Sequence, residues 1–354
     1  MSGTRLQEVA RRSGVSVATA SRVLNPDNDH PVSERLRQRV LEAAAEYNYA
    51  VNALARGLKI RRTQTVAIIV HDIRDPYFNE CARGIADAAD PAGYLAVVCN
   101  SDRDPDKELR YVQLAYEQRV SGVLFAGSGF DNRRYRSEIK RKVDALHGYG
   151  AYALALSPRR DRLPAELPDN VGGARSATAH LIELGHQRVA YIDGPAGLIA
   201  SQERLAGYRE ALSEAGIEFD ERLVAGGDYS VSGGQSALGA LLDRGEGFTA
   251  VFASNDSMAI GAMRELRRRG LAIPGDISLV GFDDIPLVSS LDPPLTTVSL
   301  PMAEIGAAAM RRLIALLGGE EGESPGAGRR ARLVNTHPTE LVVRASTAAP
   351  GKRT

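Results

Sequence analysis

Cysteine is scarce and an excess of one charge is absent. Cys81 and Cys99 are the two thiols in 354 residues, too few for a disulfide framework and not spaced as a CxxC pair, so a reducing cytosol is the expected compartment. Lysine and arginine number 44, aspartate and glutamate 44, and the formal charge of zero excludes a uniformly basic nucleic-acid coat or an acidic solvating protein. No apolar run reaches the ~18 residues that cross a bilayer, and the start of the chain, with Arg5 and Glu8, has no apolar stretch of a signal peptide. Neither membrane insertion nor export is expected. The common catalytic patterns are missing as well: there is no GxSxG, GxxxxGK[ST] or HExxH, and Gly127-Ser128-Gly129 lacks the later glycine of a dinucleotide loop. His180 and His186 lie near each other but suit structural positions better than a metal pair. Asp283-Asp284 suits ligand hydrogen bonding and helix capping better than paired acid and base. No enzyme, cofactor or metal is expected.

What is present is apolar material, 44% of the residues, enough for the cores of two or three domains. Charge is uneven along the chain. Between Met1 and Arg62, eleven basic residues meet six acidic ones, so this segment is net +5 and the rest of the neutral chain −5. That asymmetry is the footprint of a small basic module on a larger acidic body. The module reads as short helices without a strand pattern. Thr4 and Gln7 have capping-box spacing, with Leu6, Val9 and Ala10 on one helical face. Gly14 supplies a tight turn and Ser16 an N-cap for a second helix over 17–24. A third starts at Ser33 and carries Leu36, Val40, Leu41 and Ala44 at helical spacing.

The second of these helices has the chemistry of a major-groove reader. Such a helix needs small or apolar side chains at its N-terminal end, a long hydrogen-bonding residue further along, and hydroxyls for phosphates. Val17 and Ala18 suit thymine methyls, Arg22 suits guanine O6 and N7, and Ser16, Thr19 and Ser21 suit phosphates.

From Thr65 the texture changes. Buried-strand runs at 66–70, 95–99, 122–125, 151–156, 189–192, 250–252 and 277–280 alternate with helical patterns at 77–89, 107–118, 133–146, 174–184, 202–215, 233–242 and 257–269. Alternation at this spacing predicts parallel sheets covered by helices on both faces. So many strands fit two doubly wound lobes better than one sheet, with the seam at 157–168, where proline and charge concentrate. A surface loop over 318–328 precedes a last strand at 341–343. The remaining tail lacks the apolar heptads of an assembly helix.

The module's residues closely match one known pattern. Leu6-Gln7-Glu8-Val9-Ala10, Gly14-Val15-Ser16, Thr19, Ser21-Arg22-Val23-Leu24-Asn25, Val32-Ser33 and Asn52-Ala53-Leu54-Ala55-Arg56 follow the N-terminal signature of the lac-repressor-type (LacI/GalR) transcription regulators, which the chain resembles. The match continues in Glu203-Arg204-Leu205-Ala206-Gly207-Tyr208, Asn255-Asp256, Gly281-Phe282-Asp283-Asp284-Ile285-Pro286 and Asp292-Pro293-Pro294-Leu295. The resemblance implies an all-α helix-turn-helix DNA-binding domain over 1–50, a hinge helix and linker over 51–62, and an α/β periplasmic-binding-protein-like body of two doubly wound parallel-sheet lobes over 63–345. It places the first lobe at about 63–160 plus 295–320 and the second at about 161–294 plus 330–345, with a short tail over 346–354.

The family's roles carry over by position. The resemblance assigns DNA contact to Ser16, Val17, Ala18, Thr19, Ser21, Arg22, Asn25, Asn52, Leu54 and Arg56, with Leu54 as an apolar wedge in the minor groove. Val51 stands where the family usually has proline, and Gly57 lowers helix propensity, so the hinge is expected to be disordered without DNA. Tyr77, Phe78, Arg204, Tyr229, Asn255 and Asp283 match effector-binding positions. Asp75, Asn100, Ser128 and Ser157 lie at strand ends facing the same crevice, where ligand contact and a turn or cap role are both open. Stretch 156–171 departs from the family pattern, which leaves its contacts undefined. An aromatic face beside Arg, Asn and Asp suits a sugar or polyol, and a purine also fits. The implied function is a cytoplasmic repressor that binds a palindromic operator as a homodimer under control of a small molecule. The alternative is a transport-type sugar-binding protein without a DNA role.

Overall fold

A computed structural model describes residues 2–24, 32–47, 49, 62–319 and 334–351. The chain divides into two compact units, Met1–Gln64 and Thr65–Thr354.

The first unit holds α1 (Ser2–Ser13), α2 (Val17–Val23) and α3 (Glu34–Glu46). Helix α1 spans Ser2–Ser13, so the expected capping-box positions Thr4 and Gln7 fall within it and not at its start. The turn into α2 follows the sequence reading. Gly14 has φ +66°, and a Cβ there would lie 2.7 Å from the Arg39 guanidinium. Ser16 takes the extended backbone of an N-cap, and its Oγ accepts from the Thr19 amide at 3.0 Å. Val9, Ala10, Ala20, Val23, Val40, Ala43 and Ala44 close the small core, while Leu41 turns outward beside the buried Val40. Ser16→Ala is expected to weaken α2 by about 1 kcal/mol, read as roughly fivefold faster amide exchange along that helix. Unchanged exchange would show that the Ser16 cap contributes nothing to α2.

The second unit alternates strand and helix. In chain order it contains β1 (Thr65–Val70), α4 (Pro76–Ala89), β2 (Leu95–Asn100), α5 (Pro105–Glu117), β3 (Gly122–Phe125), α6 (Arg133–His147), β4 (Tyr152–Ala155) and β5 (Ala165–Pro168). There follow α7 (Asn170–Glu183), β6 (Val189–Asp193), α8 (Ile199–Glu214), β7 (Val224–Gly226), α9 (Val231–Asp243), β8 (Ala250–Ala253), α10 (Asp256–Arg268) and β9 (Ser278–Val280). The last elements are β10 (Thr297–Ser299), α11 (Met302–Gly318), β11 (Val334–His337) and β12 (Glu340–Val342). Two parallel sheets result, one in the order β11-β5-β4-β3-β1-β2 and one in the order β7-β6-β8-β9, and β10 pairs antiparallel with β12.

Helices cover both faces of each sheet, which is why β1, β3 and β8 are buried along nearly their whole length and read as unbroken apolar runs. On the first sheet, α4 and α11 pack so closely that a Cβ on Gly84 would lie 1.9 Å from the Ala303 carbonyl oxygen. Leu109 and Val112 of α5 and Ile139 and Val143 of α6 fill the other face. The second sheet stacks Tyr191 on Tyr208 of α8 at 4.8 Å and buries Leu238 of α9 and Met258 of α10 on its far side. His186 ties the end of α7 to Thr249, Ser278 and the Ala348 carbonyl, and His180 bonds Thr347.

The lobe change falls later than the sequence reading has it. Segment 157–168 contains β5, which pairs with β4 and with β11, so both β5 and β11 belong to the first sheet and not to the second lobe. The strand is masked in the sequence by Glu166, a charge in a buried position. Its carboxylate accepts from Asn335 at 2.8 Å, lies 3.2 Å from Arg312 Nη1 and meets His337 Nε2 at 2.9 Å, partners contributed by distant segments. No described helix is long and apolar enough to cross a membrane.

Candidate functional site

Each unit presents one candidate surface. In the first, Ala20 and Val23 hold α2 against the core and turn Val17, Ala18, Ser21 and Arg22 outward. Val17 is 43% exposed, an apolar side chain outside the small core. Ser16 and Thr19 are engaged with each other, their hydroxyls 2.8 Å apart and the Ser16 oxygen also capping the helix. Asn25, Asn52, Leu54 and Arg56, with Val51 and Gly57 of the expected hinge, lie outside the described residues.

In the second unit the C-terminal ends of both parallel sheets converge on one cavity, about 410 Å³ with the open solvent at its mouth included. Its lining contains every expected effector residue: Asp75, Tyr77, Phe78, Ser128, Arg204, Tyr229, Asn255 and Asp283. Ser157 joins them, whereas Asn100 does not. Asn100 Oδ1 accepts from the Ile73 amide at 3.0 Å and its Nδ2 donates to Asp102 at 2.6 Å, so the side chain is spent on tying together the loops after β1 and β2. The sequence reading missed His71, Arg103, Leu198 and Ala200. Crevices at strand C-termini are where open α/β sheets place ligands, because successive loops and helix N-termini point there.

The lining is built by local rules. Asp75 caps α4 through the Tyr77 amide at 3.2 Å, with Pro76 in the first turn, and so aims Tyr77 and Phe78 at the crevice. Asn255 caps α10 through Met258 N at 2.9 Å, and its Nδ2 donates to the Tyr229 carbonyl at 3.4 Å. Arg103, Tyr229 and Asp283 have φ of +57°, +64° and +112°, a backbone region that non-glycine residues adopt at a cost and that clusters at functional sites.

Arg204 is the anchor of the second lobe's wall. Its Nε donates to Asn170 Oδ1 at 3.0 Å, its Nη1 to the Ser254 carbonyl, and its Nη2 lies 3.1 Å from Asp283 Oδ1, with the guanidinium stacked 3.9 Å from the Phe282 ring centroid. Burial raises the Asp283 carboxyl well above the ordinary aspartate value, and Arg204 pulls the other way. Tyr229 OH and Ser201 Oγ are 2.9 Å apart, and Arg103 reaches from the first lobe to 5.8 Å from the Tyr229 ring centroid. The lobes also meet directly beside the cavity. The Asp131 amide donates to the Gly197 carbonyl at 2.8 Å, the Ile199 amide to the Gly129 carbonyl at 3.2 Å, and the Ala200 amide to Ser128 Oγ at 3.0 Å. Ser128 thus acts in the contact between lobes as well as in the lining.

Aromatic rings, two guanidinium groups, two carboxylates and short hydroxyls in one cavity can hold a small polar molecule with an apolar face. Among the described residues no group of three His, Cys, Asp or Glu is placed to hold a metal ion.

Comparison with known proteins agrees with this architecture. Residues 5–52 match the family described as bacterial regulatory proteins, lacI family, and residues 178–347 match a periplasmic binding protein-like domain. The chain is 34% identical to the HTH-type transcriptional regulator DegA of Bacillus subtilis, covering 98% of both chains. It is 37% identical to the HTH-type transcriptional repressor CytR of Escherichia coli, over 97% of this chain and 96% of that one. A lac repressor dimer solved with operator and the anti-inducer ONPF superimposes with a TM-score of 0.82 at 28% identity, over 96% of this chain and 98% of the other. A cellobiose complex of the regulator CelR matches at 0.69 and 33%, over 96% and 99%. The chain belongs to the lacI family of bacterial regulatory proteins, a helix-turn-helix module joined to a periplasmic-binding-protein-like body.

Proposed function

We propose that the chain is a cytoplasmic transcriptional repressor that binds a palindromic operator as a homodimer and changes its operator affinity when a sugar or polyol occupies the cavity between its lobes. The observation that carries the reading is the convergence of the expected effector residues from both lobes on one cavity at the C-terminal ends of the two sheets. The outward face of α2 supports the DNA role: apolar Val17 and Ala18 and the long donor Arg22 are free of the core. One such module covers too few base pairs for specificity, so two copies on successive major grooves are required.

A dimer is also supported by the body. Strand β2 is an edge strand whose Leu95, Val97 and Val98 are 65%, 40% and 40% exposed, an apolar edge that a lone protein leaves liable to aggregation. A ligand that prefers one arrangement of the two lobes shifts the balance between operator-competent and operator-incompetent dimers, by as much as its affinities for the two differ. A transport-type sugar-binding protein has no use for the helix-turn-helix module.

Tyr229→Ala removes the ring that faces the cavity between Arg103 and Arg204. It is expected to weaken ligand binding roughly tenfold, seen as a smaller thermal shift at fixed concentration across sugars, polyols and nucleosides. An unchanged shift would remove Tyr229 from the ligand's surroundings.

A further inference from the structure

We propose that His71 reads the cavity's ligand directly, through one hydrogen bond from its imidazole to a neutral hydroxyl group, and thereby sets specificity. The proposal rests on the effector reading of the cavity. His71 follows β1 immediately and points a polar ring into the lining of the first lobe. The residue is 3% exposed, and its Nε2 has no hydrogen-bond partner among the described residues.

The ring is held in a fixed pose. Its Cδ2 and Nε2 edge rests on Gly127, where an added Cβ would lie 2.4 and 2.6 Å from those atoms. Phe130 packs at 5.5 Å and Phe78 edge-on at 6.1 Å. A site that served packing alone would gain by an apolar ring, since an unpartnered buried nitrogen loses its hydration for nothing.

The other polar groups of the lining are mostly spent on the protein. Asp75 and Asn255 cap helices, Ser128 accepts from Ala200, the Tyr229 hydroxyl meets Ser201, and three donors of Arg204 face Asn170, Ser254 and Asp283. His71 Nε2, Arg103 Nε and Asp283 Oδ1 are left without hydrogen-bond partners among the described residues, and of these His71 Nε2 alone belongs to a side chain that is neither a fixed cation nor a carboxyl. Burial, with Arg103 and Arg159 nearby, outweighs a backbone hydrogen bond at Ser128 and lowers the His71 pKa to about 3, so the ring is neutral at physiological pH. A neutral imidazole nitrogen donates or accepts according to tautomer, and a hydroxyl satisfies either, whereas a carboxylate or phosphate gains no charge from it.

The test uses the purified full chain with D-ribose, cellobiose, adenosine and uridine as calorimetric probes, followed by the singly deoxygenated forms of whichever binds wild type best. His71→Phe is expected to bind that probe roughly tenfold more weakly, with one deoxy form bound alike by wild type and variant. His71→Asn, which keeps a donor and an acceptor, is expected to recover part of the loss. The melting temperature of His71→Phe is expected to equal or exceed that of wild type. Equal affinity of wild type and His71→Phe, or the same loss for the parent probe and every deoxy form, overturns the role of His71 while leaving the effector reading standing. Absence of saturable binding by wild type to all four probes overturns the effector reading of the cavity, and the role of His71 with it.

Discussion

Arg159→Met is expected to lower the unfolding free energy of the larger unit by about 3–5 kcal/mol, the cost of leaving buried charges unpaired. The Arg159 side chain is 2% exposed and lies 2.9 Å from Glu108 and 2.8 Å from Asp161, both of whose carboxylates are buried as well. It stacks 4.1 Å from the Phe125 ring centroid and donates to Tyr135 OH. Without it, Glu108 and Asp161 face one another's surroundings with no cation, and Glu108 Oε2 and Asp161 Oδ1 already lack hydrogen-bond partners among the described residues. The consequence reaches the cavity, because Gly129 N donates to the Pro158 carbonyl at 2.9 Å and an added Cβ on Gly129 would lie 3.1 Å from Arg159 Cα. The loop carrying Ser128 is therefore seated on the Arg159 segment. Urea unfolding measures the loss, and adding Glu108→Gln to Arg159→Met is expected to restore part of it. A loss below about 1 kcal/mol would mean that water reaches the cluster and screens its charges.

Arg22→Ala is expected to cost about 1–3 kcal/mol of specific operator binding and less of nonspecific binding. The side chain is exposed on the outward face of α2, with Ala20 and Val23 buried behind it, so truncation leaves the small core intact. Titration of wild type and variant against operator, a single half-site and random DNA separates the effects. Equal losses on operator and random DNA would reduce Arg22 to a phosphate contact. The same titration tests the dimer, since two linked half-sites should bind far more tightly than one.

Much of this architecture is legible in the residues. Strands buried on both faces leave unbroken apolar runs, and so β1, β3 and β8 stand out in the sequence. Strands β5 and β11 do not, because Glu166, Asn335 and His337 satisfy one another across a tertiary pairing that local sequence cannot display. The cavity shows the same division. Tyr77, Arg204, Tyr229, Asn255 and Asp283 were marked by motif, whereas Arg103 sits in a polar turn that reads as solvated surface and acquires its role from φ +57° and the Tyr229 ring across the cleft. His71 left one signal, a histidine directly after the apolar run Val66 to Val70. Asn100, for which both readings stood open, serves the turn: a short polar residue at a strand end does so as readily as it meets a ligand.

The central claim is that a ligand in the cavity changes operator affinity, and its most direct measurement is an operator titration with and without a saturating compound that raises the melting temperature. The expected result is a shift of at least roughly fivefold in operator dissociation constant, in either direction, which Tyr229→Ala reduces at the same compound concentration. A compound that saturates the cavity and leaves operator affinity unchanged would contradict the account.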